Sequence, residues 1–112
     1  MFNTGTARYD MAEWTHEFLE EEINDFYKDL KDDEQPSVSI VLNGGHLIFP
    51  TWLGYQNPNF IIVEGVDTQN REIRALVSHE QVQLIMTVIK HEPESEYPKI
   101  GFQARIGDAE DA

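Results

Sequence analysis

The chain has no cysteine and few basic residues. Without cysteine it can form neither disulfides nor thiolate sites, whether nucleophilic or zinc-binding. Its 8 lysines and arginines stand against 21 aspartates and glutamates, for a formal net charge of -13. Because proteins bind nucleic acids largely through lysine and arginine contacts to phosphates, this composition disfavours polyanions as partners and favours basic ones.

Long apolar runs are also missing from the sequence. No stretch approaches the roughly 20 apolar residues of a transmembrane helix, and the first residues lack the basic and then apolar layout of a secretory signal. We therefore expect a soluble cytoplasmic protein with no membrane contact. A chain of 112 residues has room for one modest core, so we interpret residues 1–112 as a single domain.

Motifs that carry catalysis are lacking as well. There is no glycine-rich phosphate loop and no Ser/His/Asp set in a recognisable motif context. Glu13 and His16 have the Glu-x-x-His spacing of a di-iron ligand pair, but such a site needs companion helices with matching ligands, and no second motif of this kind is present. We therefore expect no enzymatic activity, no metal and no cofactor.

The acidic residues are concentrated towards the two ends of the chain. Residues 1–36 carry 11 acids and 3 bases, a net charge of -8, whereas residues 37–91 carry 4 acids and 3 bases, a net charge of -1. Residues 92–112 carry 6 acids and 2 bases, a net charge of -4. The nearly neutral middle segment is therefore the one from which we expect the core to be built.

After an arm at residues 1–9, residues 10–33 are predicted to form an acidic amphipathic helix that begins at Met11. Asp10 and Glu13 have the spacing of a capping box, and Tyr9 and Trp14 occupy the positions of a hydrophobic staple. Apolar residues then recur at steps of three and four, as expected for one helix face. They are Met11, Trp14, Phe18, Leu19, Ile23, Phe26, Tyr27 and Leu30.

This apolar arc is divided by Glu22. Trp14 and Phe18 lie on one side of it, and Leu19 and Ile23 lie on the other. One interpretation is that one half packs on the chain's own sheet and the other half on a neighbouring subunit. The simpler alternative is a surface helix that covers one end of its own sheet.

Five strand-like runs follow, which makes the predicted fold class mainly β with an N-terminal α-helix. Alternating or continuous apolar patterns place the strands at residues 37–42, 46–55, 60–63, 71–77 and 82–89. Gly44 and Gly45 supply a tight hairpin turn after the first strand, and Pro50 implies a bend or edge in the second. Ser78 is predicted to cap one helical turn before the fifth strand.

The C-terminal part, residues 92–112, is predicted to hold three elements. Residues 92–98 are a polar linker, and residues 99–106 alternate as an additional strand would. That strand would join an edge of its own sheet or of a neighbour's sheet. Residues 107–112 are interpreted as an acidic tail.

Several short runs in residues 37–89 carry a family resemblance through their order and spacing. They are Val38-Ser39-Ile40-x-Leu42-x-Gly44, Leu47, Tyr55, Phe60-Ile61-Ile62, and Val77-Ser78-His79 leading into Val82. Together with the placement of the helix, this pattern resembles the Sm/LSm family and in particular its bacterial Hfq branch. The resemblance implies a five-stranded, strongly bent antiparallel barrel and a ring in which the fourth strand of one subunit pairs with the fifth strand of the next.

The resemblance also implies a pore that binds bases of single-stranded RNA. Carried over by position, the pore residues are Gln56, Asn57, Asn59 and Phe60 after the second strand and His79 after the fourth. Phe60 would stack a base, while the amides and His79 would hydrogen-bond its edge. The sequence departs from the family here, because an acidic residue is usual in the place of Gln56 and a cation is usual beside His79.

Two main hypotheses for the function follow. The first is an Sm-like ring-forming binding module with single-stranded RNA as the ligand that the resemblance implies. The second is an acidic oligomeric adaptor or scaffold that binds basic protein partners without binding RNA. A third, remoter hypothesis is nucleic-acid mimicry, in which carboxylates occupy a partner's phosphate sites.

Overall fold

The computed structural model describes residues 9–90 and 99–104 of the chain. One helix, α1 (Met11–Lys28), is followed by six strands and one 3-10 turn, His79–Gln81. The strands are β1 (Glu34–Val41), β2 (Leu47–Gln56), β3 (Phe60–Asp67), β4 (Glu72–Ser78), β5 (Gln83–Lys90) and β6 (Gly101–Phe102). The predictions for residues 1–8, 91–98 and 105–112 fall outside the described residues.

The strands form one sheet with the order β4-β3-β2-β1-β5, and each of these neighbours is antiparallel. The prediction of an N-terminal helix followed by five antiparallel strands is therefore confirmed, as is the choice of strand rather than helix for the fifth run. The additional β6 pairs in parallel with β2, at Trp52 and Leu53.

The strongly bent barrel that the resemblance implied is not what the structure shows. The sheet is open and not strongly curled, and among the described residues β4 and β5 lie at its two ends without pairing. A sheet becomes a barrel only when its terminal strands pair, and here β4 pairs with β3 and β5 pairs with β1, with no bond between β4 and β5 among the described residues. In the middle of the sheet, β1 and β2 pair at only two positions, Ile40 with Ile48 and Val41 with Leu47.

At Pro50, where the sequence predicts a bend or an edge, the structure has a register shift between Pro50 and Trp52 in the pairing of β2 with β3, and β2 is not an edge strand. Pro50 has no N–H to donate to the ladder, so the strand deviates there. On β3 the residue opposite Pro50 is Gly65. A Cβ on Gly65 would clash with the backbone carbonyl of Phe49, so the close approach of the two strands requires glycine.

The turn chemistry is confirmed at both predicted places. Gly44 and Gly45 have φ of 88° and 85°, which is the left-handed region that favours glycine in a hairpin. The Ser78 hydroxyl accepts a hydrogen bond from the Glu80 backbone N–H at 3.4 Å and so caps the 3-10 turn.

The hydrophobic core lies between α1 and one face of the sheet. Helix residues Ala12, His16, Leu19 and Ile23 are buried at steps of four, three and four residues. The sheet contributes Val38, Ile40, Ile48, Leu53, Tyr55, Ile61, Val63 and Val77. Of the split apolar arc, the half with Leu19 and Ile23 is therefore the buried one, and Ile23 belongs to the core shared with the sheet.

Helix α1 begins at Met11 as predicted but ends at Lys28, several residues before the predicted end at residue 33. The N–H groups of Asp29 and Leu30 donate to the carbonyl groups of Phe26 and Tyr27, each three residues earlier. These tightened bonds end the α-helix, although Leu30 continues the apolar period.

Candidate functional site

The two loops that carry the predicted pore residues lie next to each other and to the start of α1. The backbone N–H of His79, in the 3-10 turn, donates to the carbonyl of Asn59 at 2.7 Å. The backbone N–H of Ala12, in the first turn of α1, donates to the carbonyl of Pro58 at 2.9 Å. The loop between β2 and β3 is thus fixed from two sides by backbone hydrogen bonds.

The side chain of Asn57 caps α1. Its Oδ1 accepts from the Glu13 backbone N–H at 3.0 Å, and its Nδ2 donates to Glu13 Oε1 at 3.1 Å. Asp10 makes no side-chain capping hydrogen bond, so the predicted Asp10–Glu13 capping box is wrong. The cap comes instead from Asn57, in the loop between β2 and β3. Its amide group therefore has a structural role.

His79 is also engaged with the helix. Its Nδ1 lies 3.3 Å from the hydroxyl oxygen of Thr15, and the tautomer of the ring decides which of the two atoms donates. The side chain is half-buried, so it offers a ligand only part of its surface. His79 therefore joins the 3-10 turn to α1 through its ring and to the preceding loop through its backbone.

The other predicted pore residues, Gln56, Asn59 and Phe60, are exposed. Phe60 pairs with Gln56 across β2 and β3 and with Ser78 across β3 and β4, and it is 45% exposed. One exposed aromatic ring and two exposed amides thus occur within five residues around the loop. Such a group can stack a planar ligand and hydrogen-bond its edge.

The charge around these loops is negative. The Tyr55 hydroxyl is buried without a hydrogen-bond partner, and its pKa is raised by burial and then by the nearby carboxylates of Glu13 and Glu17. Basic side chains of the described residues pair with carboxylates at other places. These pairs are Lys28 with Asp25, Arg71 with Asp67, Arg74 with Glu64, and Lys90 with Asp33 and Glu34.

His16 has a role that the sequence analysis missed. It is fully buried, and its Nε2 lies 3.0 Å from the carbonyl oxygen of Leu53. Its ring packs 5.0 Å from the ring of Tyr55 and 5.8 Å from that of Phe102, measured between ring centroids. Its place in the period of Ala12, Leu19 and Ile23 was the signal that could have shown this.

The Glu13-x-x-His16 pair does not converge on a common point. Glu13 is hydrogen-bonded to Asn57, whereas His16 points into the core. In residues 9–90 and 99–104 no three His, Asp or Glu side chains are grouped so that they could hold a metal ion.

Two exposed apolar surfaces lie outside the predicted site. The first is divided between the two opposite ends of the sheet, with Leu76 on β4 at one end and Ile85, Val88 and Ile89 on β5 at the other. The second is on the outer face of α1, where Trp14 stacks on Phe18 instead of on Tyr9, which is 83% exposed. The division of the apolar arc by Glu22 was the sequence signal for this second surface.

Comparison with known proteins gives no assignment, because no family model, curated protein or solved structure matches the chain. Within the part that the structure describes, no helix has the length and apolar character needed to cross a bilayer.

Proposed function

We propose that the protein is an Sm-like, ring-forming binding module that assembles through the two terminal strands of its sheet. The observation that carries this proposal is the strand order, which leaves β4 and β5 each with one neighbour among the described residues. An edge strand presents unpaired N–H and C=O groups, and proteins either cover such edges or protect them with charge. Here both edges expose apolar residues: Leu76 is 61% exposed on β4 and Ile85 is 48% exposed on β5.

Pairing of β4 with β5 of the next copy satisfies both edges at once. The two strands have similar lengths, 7 and 8 residues. Because the paired surfaces differ, the contact is heterologous, and repeated contacts of this kind close into a ring when the rotation between copies permits. The open sheet supports this assembly, since a barrel closed within one chain would leave no edges to pair.

The ligand class is a choice between RNA and a basic protein. The exposed ring of Phe60 and the amides of Gln56 and Asn59 support single-stranded RNA. Three features support the second candidate function, an acidic adaptor for basic proteins: the structural roles of Asn57 and His79, the carboxylates beside Tyr55, and the net charge of -13. Phosphate binding needs cations, so we favour the adaptor.

Native mass spectrometry tests the assembly. We expect the unchanged protein to form a closed ring of identical subunits, and Leu76→Lys or Ile85→Lys to give monomers, because a charge on an edge strand opposes pairing. Gln69→Lys, at an exposed position in the turn between β3 and β4, adds the same charge and should leave the ring intact. A monomeric unchanged protein at tens of micromolar, or rings in both edge variants, would refute the proposal.

Fluorescence anisotropy with labelled oligouridine and oligoadenine tests the choice of ligand. RNA binding at the predicted pore requires affinity that falls steeply with salt and a clear loss in Phe60→Ala. We expect neither oligonucleotide to bind even at low ionic strength. Salt-sensitive binding that is lost in Phe60→Ala would overturn the adaptor choice in favour of RNA.

A further inference from the structure

The outer face of α1 carries two exposed aromatic rings. Trp14 and Phe18 are each 51% exposed, and their rings lie parallel within 3° with centroids 5.9 Å apart. They are four residues apart on the side of the helix opposite the buried Ala12 and Ile23. Large aromatic rings half-exposed on a helix surface are a typical anchor for a partner.

The same line of the helix continues into carboxylates. Trp14, Phe18, Glu21 and Asp25 follow each other at steps of four, three and four residues, so they form one stripe along the helix. We call these four residues the aromatic–acidic stripe. Glu21 and Asp25 are exposed, and Glu22 beside them is exposed as well.

The net charge of α1 adds to the negative charge of the aromatic–acidic stripe. The helix has six acidic residues and one basic residue, Lys28, so its net charge is -5 with His16 neutral. Lys28 lies 3.8 Å from Asp25 in an exposed pair, which screens little of the acidic surface.

We propose that the aromatic–acidic stripe docks a basic amphipathic segment of another protein. Apolar side chains of that segment would cover the rings of Trp14 and Phe18, and its arginines or lysines would face Glu21 and Asp25. An arginine over the exposed indole adds a cation–π contact. This inference names the surface used in the second candidate function, the adaptor, and does not depend on ring assembly.

Charge selects this occupant over the alternatives within the chain. A second copy on the same face would set the carboxylates of two helices against each other, which is repulsive. The chain segments outside the described residues are poor occupants too. Residues 1–8 contain one basic residue, residues 91–98 contain no lysine or arginine and three acids, and residues 105–112 contain one base and three acids.

The test measures the binding of two labelled synthetic peptides by fluorescence anisotropy. One is an 18-residue amphipathic peptide of leucine, lysine and arginine. The other has glutamate in place of every lysine and arginine. We expect the basic peptide to bind and the acidic peptide not to bind. Trp14→Ala/Phe18→Ala should weaken binding at least about tenfold, as removal of paired aromatic anchors does. The single variant Trp14→Phe should bind almost as tightly as the unchanged protein, since it retains an aromatic ring at position 14.

Matched charge variants separate local docking from general attraction. Glu21→Gln/Asp25→Asn should weaken binding of the basic peptide and reduce its salt dependence. Asp32→Asn/Glu72→Gln makes the same change in net charge at exposed positions away from the stripe and should bind like the unchanged protein. Circular dichroism confirms that each variant remains folded.

Three outcomes would overturn the inference. They are affinity within about twofold in Trp14→Ala/Phe18→Ala, an equal loss in the two charge variants, and binding to phosphatidylcholine vesicles in place of the peptide. Repeating the measurement on the Leu76→Lys/Ile85→Lys protein keeps the two proposals apart. Equal peptide affinity there supports docking whether or not the ring exists.

Discussion

At the scale of single residues, the side chains around the predicted pore bind the chain to itself. Asn57 and Glu13 exchange two hydrogen bonds across 44 positions of sequence, and His79 contacts Thr15 across 64. A side chain that caps a helix satisfies backbone N–H groups that would otherwise lack a partner. Polar residues at a pore-like loop are therefore no sufficient sign of ligand binding.

We expect Asn57→Ala to lower the free energy of unfolding by about 1–2 kcal/mol, because it removes the cap of α1. Urea denaturation followed by circular dichroism measures this change. Asn59→Ala is the matched control, since the exposed Asn59 is fixed through its backbone carbonyl. Equal losses in the two variants would contradict the structural role of Asn57.

Asp67 closes the turn between β3 and β4. Its Oδ1 accepts from the backbone N–H groups of Gln69 and Arg71, each at 2.9 Å, and its Oδ2 accepts from Arg71 Nε at 2.8 Å. These bonds, with the Arg71 backbone N–H first, hold the pKa of Asp67 below its ordinary value of 3.8. The charged carboxylate is therefore favoured in the folded state.

The pH dependence follows from that direction. Because the pKa of Asp67 is lower in the folded chain than in the unfolded chain, its contribution is complete above the unfolded value and is lost as pH falls through the folded one. We expect Asp67→Ala to be less stable than the unchanged protein at pH 7, with the difference shrinking below about pH 4. Urea midpoints measured from pH 7 to pH 2.5 provide the check, and a constant difference over that range would contradict this account.

At the scale of elements, the pairing of β2 with β3 depends on one glycine. Gly65 lies opposite Pro50, where the register shifts and the Phe49 carbonyl would clash with a Cβ at position 65. A bulge of this kind lets one strand deviate while pairing continues on both sides. The direction of β2 after Pro50, and with it the position of the loop that carries the candidate residues, therefore depends on Gly65.

We expect Gly65→Ala to cost about 3 kcal/mol of stability, because backbone atoms must move to admit the methyl group. Gly45→Ala is the comparison: nothing lies near its Cβ position, and φ of 85° is the only strain there. That variant should lose about 1–2 kcal/mol. Thermal and urea unfolding of both variants measure these losses of stability. A larger loss of stability in Gly45→Ala than in Gly65→Ala would contradict the expected order.

At the scale of the whole molecule, the proposed assembly rests on the open sheet. Its order, β4-β3-β2-β1-β5, separates two different edges. Helix α1 covers one face of the sheet with Ala12 and Ile23 and leaves Trp14 and Phe18 exposed. The proposed ring would use the two edges, and the proposed docking would use the exposed face of α1.

Mixing the two edge variants provides a test of heterologous pairing. Alone, Leu76→Lys and Ile85→Lys each lack one of the two edges that every contact needs, so both should be monomers. Mixed in equal amounts, they retain one intact β4 and one intact β5 between them and should form a 1:1 dimer and nothing larger. Native mass spectrometry with one variant isotope-labelled identifies the dimer. Dimers in either variant alone would indicate a self-complementary contact instead.

The sequence by itself determined the elements whose causes are local. The hairpin at Gly44 and Gly45 and the cap at Ser78 follow from neighbouring residues, and apolar periodicity located α1 and the strands. Only the tertiary structure decided that Asn57 caps α1, that His16 is buried against Leu53, and that the sheet stays open. Each of these features depends on groups that are distant in sequence and meet only after the chain has packed. Local periodicity and residue spacing therefore cannot predict them.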